Sequence, residues 1–503
     1  MPPESSQITL FFLNNINVFS FSCFFHIFQL KRLTVLHSFF LTPTPLTTYP
    51  VLMTSDLTSA PIPHLVQRLA IPAGTGFFFN TMFNVVDTWY GGQLSTSALA
   101  AMSLSFPVFF LILAIGSGVS TGATTMIGSA LGRKDHDEAK RYLLQALSFA
   151  LHHALFLTAT GLALAPKIFE LMGARGEYLA YALSYMNVIF AGCTFFLLNF
   201  VMNAILNSHG NTLAYRNFLI GGFVLNLILD PWFMYGGLGV PALGLAGIAL
   251  ATVSIQCLGV FYLFRQLSKT GSMPSFHLSD LRPRWSYFRE LFRQGLPAAM
   301  NMMSVSLGIF IITWFVGRFG ESAVAAYGIG SRIEQIALLP VMGLNISTLA
   351  LTAQNFGAGR IDRVRETVRL SLRYGVLLAT LGTVAALIYS RELMSIFTTD
   401  RAVIDAGVGF LAVEAFVLPA YVLLYISISA MQGIKMPLFA LAVGLYRQIA
   451  GPLFVFHLLT TVIGLGLIGI WWGIFGITWS AALFVVVYVS RRLIKLEKEI
   501  FHT

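Results

Sequence analysis

Charge is what this 503-residue sequence has least of. Asp, Glu, Lys and Arg make up only 10% of it, where soluble domains carry about 25%, so it cannot cover its own surface with solvated groups. That excludes a water-soluble globular chain, a disordered chain, a nucleic-acid-binding protein on a soluble scaffold and a disulfide-stapled secreted module. Cysteine is scarce as well: Cys23, Cys193 and Cys257 are odd in number, scattered, and without zinc, haem or redox spacing. Histidines such as His152, His153, His209 and His457 show no metal spacing either. Walker A, nucleophile-elbow and H-E-x-x-H patterns are missing. No enzyme, no bound cofactor and no direct use of ATP is therefore expected.

Apolar length is what the sequence does have. Hydrophobic residues make up 56% and the mean hydropathy is +0.76. From about residue 64, long apolar stretches alternate with short polar connectors, each stretch able to span a ~30 Å hydrocarbon core as a helix. Their cores lie near 66–92, 98–130, 142–165, 180–206, 213–235, 243–266, 288–317, 323–355, 366–389, 403–432, 437–459 and 464–489. Each run is continuously apolar, where a membrane strand would alternate over about ten residues. The expectation is an all-α integral membrane protein with twelve transmembrane helices.

Basic residues set its orientation. If the first span starts in the cytoplasm, 21 Lys and Arg fall in interior loops, among them Arg133, Lys134, Arg216, Arg282, Arg360, Arg363, Lys435 and Arg491. Only Lys167, Arg175, Arg318, Arg391 and Arg401 fall outside. The bias predicts cytoplasmic termini for the core of a multi-pass protein of the plasma (inner) membrane. The +10 net charge is then mainly a signature of cytoplasmic loops, and no nucleic-acid partner is implied.

The chain also repeats. A single ungapped shift of 225 residues superposes Pro72 on Pro297, Thr88-Trp89 on Thr313-Trp314, Gly92 on Gly317, Gly118 on Gly343 and Gly132 on Gly357. Six crossings return the chain to its starting side, so two six-helix halves share one orientation. The expected organisation is an N-lobe at 64–267, a polar, basic cytoplasmic linker at 268–286 acting as a hinge, a C-lobe at 287–495 and a tail at 496–503. Residues 1–63 are Phe-rich but broken by Asn14, Asn15, Asn17, His26, Lys31 and Arg32. They read as an atypical extension outside the core, upstream of a working start at Met53, in preference to a thirteenth span.

Ionisable groups at bilayer depth are costly and point to function. Asp87 lies in the first span and Asp230 in the fifth, with Asn226 one turn before Asp230 on the same face; Asn203 in the fourth span needs protein partners for its amide. Two carboxylates and two amides in a semi-dry cavity suit either a sodium ion, with Asp87, Asn226 and Asp230 as oxygen ligands, or shared protons. Asp87 falls on Ile312 in the second half, so the repeat itself does not require the carboxylate. In the second half, Arg332, Glu334, Glu414 and Arg447 suggest a polar network, either a structural ion-pair network or a second proton or substrate-cation site. Pro72 removes a backbone bond from the first span and favours a bend. Phe79, Phe83 and Met202 are candidates for an apolar cavity lining.

The block from Leu69 to Val108, the stretch Gly116–Arg141, the Asn226-x-x-x-Asp230 pair and the segment from Gly295 through Arg360 resemble the multidrug and toxic compound extrusion (MATE) transporters over about residues 57–495. The resemblance implies a V-shaped protein of two pseudo-symmetric six-helix bundles, facing alternately in and out. It would be a secondary-active antiporter, a monomer in the lipid bilayer, exporting cationic or amphipathic drugs and toxic compounds in exchange for H⁺ or Na⁺. It carries a cation site onto Asp87, Asn203, Asn226, Asp230 and Thr252, and a helix bend onto Pro72. Other branches have a glutamate in the seventh span where this chain has Val305, which points to the DinF-like bacterial branch, with Glu414 as a substitute acid. The alternative is a flippase for a lipid-linked precursor, of the same broader superfamily; the lack of Lys or Arg mid-span in the first half weighs against it.

Overall fold

In lipid every backbone N–H and C=O must find a partner within its own segment, so continuous apolar runs become helices. The computed structural model describes residues 57–271 and 278–501; of the expected extension, only 57–63 lies within them. The first half comprises α1 (Ile62–Leu94), α2 (Thr96–Gly132), α3 (His136–Leu171), α4 (Gly176–Ala191), α5 (Cys193–Ser208), α6 (Leu213–Tyr235) and α7 (Leu245–Ser268). The second comprises α8 (Trp285–Gly317), α9 (Glu321–Gly357), α10 (Ile361–Ile388), the short α11 (Ser390–Ser395), α12 (Arg401–Glu414), α13 (Leu418–Gly433), α14 (Pro437–Leu445), α15 (Gly451–His457) and α16 (Gly466–Phe501). Ten helical segments among the described residues are long and apolar enough to cross a membrane, and twelve spans result when two bent pairs each count as one. The protein is a multi-pass, all-helical membrane protein, as its composition predicts.

The two bent pairs sit at the same place in the repeat. α4 meets α5 at 49° and α12 meets α13 at 52°, and the 225-residue shift sets Gly192, between the first pair, on Val417, between the second. At the second break Pro419 lacks an N–H and its ring crowds the Ala415 carbonyl. At the first, Gly192 lets α7 approach so closely that a Cβ would lie 2.4 Å from Val253. A bend frees carbonyls, and each break satisfies one with a threonine. Thr158 Oγ1 donates to the Phe190 carbonyl at 2.7 Å, and its repeat mate Thr383 donates to that of Ala415. Trp479 Nε1 adds a bond to the Phe416 carbonyl at 2.9 Å.

The halves exchange the starts of their first helices. Ile62, Leu65, Val66, Leu69 and Ala70 of α1 pack in one core with Leu338, Val341, Leu344, Val364 and Val368 of the second half. Phe288 and Leu291 of α8 pack into the core of the first half. The expected lobe boundaries at 64 and 287 are therefore crossed by packing. Toward the other end of the helices the second half forms a core of its own, from Ile311 to Ile477, with no residue of the first half.

Between the halves, apolar burial offers little driving force in lipid, so association depends on close backbone approach through small residues. A Cβ on Gly118 would meet the Gly295 carbonyl at 2.6 Å, and its mate Gly343 would meet that of Ala70 at 2.2 Å. Gly132 would meet the Gln354 carbonyl at 1.9 Å, and its mate Gly357 that of Ser129 at 2.1 Å. Gln354 Nε2 also donates to the Ser208 carbonyl at 2.7 Å, and Thr125 Oγ1 to that of Gln432 at 3.2 Å. All these contacts gather toward one end of the bundle, where the α2–α3 turn carries Arg133 and Lys134 and the α9–α10 turn carries Arg360; we call this the basic end. Lys134 (φ 61°) and Gly359 (φ 71°) are repeat mates in the left-handed region, as are Gly210 (φ 76°) and Lys435 (φ 63°). One half uses glycine where the other tolerates lysine.

Two connecting segments expected to be peripheral are anchored. Arg363 is buried and donates to the Leu57 carbonyl at 3.3 Å, the Ala60 carbonyl at 2.6 Å and Asn355 Oδ1 at 2.8 Å. Residues 57–61 thus belong to the core. In the linker, Gln145 Nε2 of α3 donates to the carbonyls of Asp280 (3.1 Å) and Arg282 (3.0 Å), Ser148 Oγ to that of Leu281 (2.6 Å), and Arg284 N to Gln145 Oε1 (2.8 Å). Residues 280–284 of the expected hinge are thus docked on the first half.

Candidate functional site

α1, α6 and α7 bring the first-half polar residues together. Asp87 is buried, and Asn226 Nδ2 donates to its Oδ1 at 2.8 Å while Thr252 Oγ1 donates to its Oδ2 at 3.2 Å. Asp230, one turn beyond Asn226, is fully buried and its carboxyl lies within hydrogen-bonding reach of Asp87. Neither Asp230 oxygen has a donor among the described residues, and neither does Asn226 Oδ1. Buried polar atoms in native proteins are almost always paired, and two carboxylates so close hold a proton or a cation between them in preference to two bare charges. The cluster is rich in oxygen acceptors and short of donors, which is what a proton or an oxygen-liganded monovalent ion completes.

The remaining predicted residues divide. Asn203 does not join the cluster: it lines a small cavity with Asn207, Thr212, Tyr215, Arg216 and Ile346, because its place on α5 turns it toward α6's first turns. Met202 is 1% exposed in the first-half core, so it is no cavity lining; Phe79 and Phe83 are half-buried against that core. Pro72 is buried inside α1, which continues as one helix to Leu94.

In the second half Glu334 of α9, Glu414 of α12 and Tyr421 of α13 are close enough to interact electrostatically. The Arg447 guanidinium sits 5.1 Å from the Tyr421 ring centre, and Tyr421 stacks on Tyr425 at 5.8 Å. Arg447 belongs to a π-helical turn, Tyr446–Ala450, placed just before Pro452, whose ring would otherwise crowd the Gln448 carbonyl. Arg332 is not part of this network. It is exposed and lies two residues from Glu334, on another face of α9.

Sequence reading missed the tyrosines. Tyr185 of α4 is close enough to both Asp87 and Asp230 to feel their charge, and Tyr90 feels that of Asp230; Tyr421 and Tyr425 serve likewise in the second half. A neutral side chain in an apolar run gives no signal of its own. Thr158 and Thr383 were missed as well, although the 225-residue shift that superposes them was a signal that could have found them.

Known proteins resemble this chain in both of its halves. The MatE family model matches twice, at residues 72–232 and 297–457, which are blocks in the register of the repeat. A protein of Shewanella oneidensis named "FAD transporter" is 30% identical over 402 residues, covering 78% of this chain and 87% of its own. The "Multidrug export protein MepA" of Staphylococcus aureus is 26% identical over 359 residues, 70% of this chain and 78% of its own. A solved MOP superfamily transporter from Pyrococcus furiosus shares the fold with a TM-score of 0.82 at 24% identity, over 88% of this chain and 99% of that one. With both halves matched in register and two buried acids where the first half departs from its copy, the chain belongs to the MatE family.

Proposed function

We propose that the protein is a secondary-active antiporter that expels amphipathic drugs and toxic compounds, cations among them, in exchange for H⁺ or Na⁺. The observation that carries this reading is the buried Asp87 bridged by Asn226 and Thr252, beside an Asp230 carboxyl without a donor. A half that needed only its fold could carry an apolar residue at position 87, as the second half does with Ile312. The basic end is the cytoplasmic one, by the distribution of Lys and Arg, so the contacts at that end close the path to the cytoplasm and leave the cleft open outward. In that state the acid pair takes up the coupling ion; loss of the ion to the cytoplasm accompanies the opposite opening. Binding the ion in one state better than in the other is what couples it to the change. One chain supplies both lobes and the acid pair, so a monomer in the plasma membrane suffices, with no resident cofactor; the coupling ion is cargo.

Ethidium export from proteoliposomes under an imposed pH or Na⁺ gradient tests the reading, with Asp87→Asn beside the wild type. Gradient-driven export that falls to passive leak in the variant supports it. Full transport in the variant removes Asp87 from coupling. Movement of a labelled lipid-linked precursor without ethidium transport would replace it with the flippase.

A further inference from the structure

Arg332 is a charge within the spans that neither polar cluster absorbs. It is exposed, carries no hydrogen bond or ion pair among the described residues, and stands apart from the glutamate network beside it. Its helix face can be read from packing. Gly343 of α9 touches the backbone of Ala70 and Gly74 of α1, and Arg332 lies 11 residues earlier, three turns away and on the same face. It therefore looks toward α1 about 16 Å beyond that contact, on the side away from the basic end, where the core of the second half no longer includes first-half residues. The facing side of α1 is traced in the same way. Gly74 packs on Leu339 and Pro340, and three turns on from it come Val85 and then Thr88, both exposed. A lone guanidinium facing hydrocarbon is costly; one facing an open cleft stays hydrated.

The charge of the facing walls follows from the sequence. The outer halves of α1, α2 and α8 carry no Lys or Arg, and their one acid, Asp87, is buried against α6 and α7. On α9, Glu334 is turned to Glu414 and Tyr421, and Glu321 lies at the helix tip. Arg318, just past the end of α8, stacks 4.0 Å over the Trp314 ring at the helix tip; within the spans, the described facing walls thus present one unneutralised cation, Arg332, between apolar and hydroxyl-bearing residues. Guanidinium is a planar, multiply donating partner for carboxylate, phosphate or sulfonate groups.

We infer that Arg332 is a specificity-determining residue of the transport cleft, and that it selects amphipathic substrates bearing an anionic group. The inference rests on the antiporter reading and narrows its substrate class. Coupling at Asp87 and recognition at Arg332 are separate: the acid pair handles the ion, and the guanidinium holds the anionic end of the substrate.

The test uses two fluorescent amphipaths, carboxyfluorescein as the anion and ethidium as the cation. Binding to the purified full chain is followed by fluorescence anisotropy and transport in proteoliposomes under a pH or Na⁺ gradient. Arg332→Gln should weaken carboxyfluorescein binding by roughly tenfold or more and slow its transport in proportion, with ethidium unchanged or improved. Arg332→Lys should restore part of the anion binding. Equal anion binding by wild type and Arg332→Gln overturns the inference, as does an equal loss for both dyes. If the wild type binds carboxyfluorescein through Arg332 but neither gradient drives either dye, the antiporter reading fails and the recognition role stands.

Discussion

Thr158 Oγ1 donates to the Phe190 carbonyl across 2.7 Å, where the fourth span bends and its backbone can no longer satisfy itself. The repeat mate of this pair, Thr383 on Ala415, closes the equivalent gap in the tenth span. Buried carbonyls at both bends thus depend on a hydroxyl from the preceding span. Valine matches threonine in shape and removes only the donor. Thr158→Val and Thr383→Val should each cost about 1–3 kcal/mol, the range for a buried group left unpaired. The two sites lie in separate lobes, so their effects should add. Thermal unfolding of the singles and the double variant checks this; unchanged stability in both singles would mean that another partner holds the bends.

Gly132 and Gly357 close the basic end against each other's strands of chain. A methyl at either would press within 1.9 or 2.1 Å of a carbonyl oxygen of the opposite half, too near for any relaxation confined to a side chain. Gly132→Ala or Gly357→Ala should leave each half folded but penalise this closed arrangement by about 1–3 kcal/mol, favouring the state open at the basic end. Spin labels on the exposed turns at Lys134 and Arg360 read the result: the variants should show longer distances than the wild type. Identical distance distributions would remove these glycines from the closing contact.

The span count and the repeat were legible in the sequence because each is written in many residues at once. Asp87, Asn226 and Asp230 were legible because charge and amide groups are rare within apolar runs, and the i, i+4 spacing fixes a shared face. The exchange of α1 and α8 between the lobes was not. Leu65 and Leu291 look equally apolar whichever core receives them, and only tertiary packing chooses. Asn203 misled for a related reason: its residue type and span agree with the resemblance, but its rotation on α5 past the bend at Gly192 sends it to another cavity. Arg332 and Glu334 sit two residues apart, so one joins the second-half network and the other cannot. The docking of residues 280–284 was hidden because its carbonyls are recognised by Gln145 and Ser148, which read as ordinary polar residues of an amphipathic helix.

His209, immediately after α5 and outside the spans, offers a measurable pH dependence. Its Nδ1 lies 2.8 Å from the Ile205 carbonyl, and its ring shares a cavity with His136 and Lys140. Burial pulls its pKa below the ordinary 6.5; the Ile205 bond opposes the shift, and the charge of His136 adds to it. The folded protein therefore keeps this ring neutral where the unfolded chain would bind a proton. Stability from this source is fully present above pH 6.5 and is lost as the pH falls through that value toward the folded pKa. Thermal unfolding between pH 7.5 and 5.5 should fall more steeply for the wild type than for His209→Gln. Parallel slopes would assign the pH dependence to other groups.

Asn226 gives the sharpest test of the acid pair, because it touches Asp87 without supplying charge. Its amide donates to the Asp87 carboxyl at 2.8 Å, and a hydrogen bond to a charged group contributes about 1.5–3 kcal/mol. Asn226→Ala should shift the ion concentration for half-maximal transport by roughly ten- to a hundredfold, with the maximal rate less affected than in Asp87→Asn. Thr252→Val removes a longer contact, 3.2 Å from a neutral hydroxyl, and should shift it less. Asn203→Ala, on the separate cavity with Asn207 and Arg216, should not shift it at all. Transport titrated against pH and against Na⁺ for the three variants orders them. An Asn203→Ala shift as large as that of Asn226→Ala would move the ion site from α1, α6 and α7 toward α5, and with it the assignment of Asp87 as the coupling carboxylate.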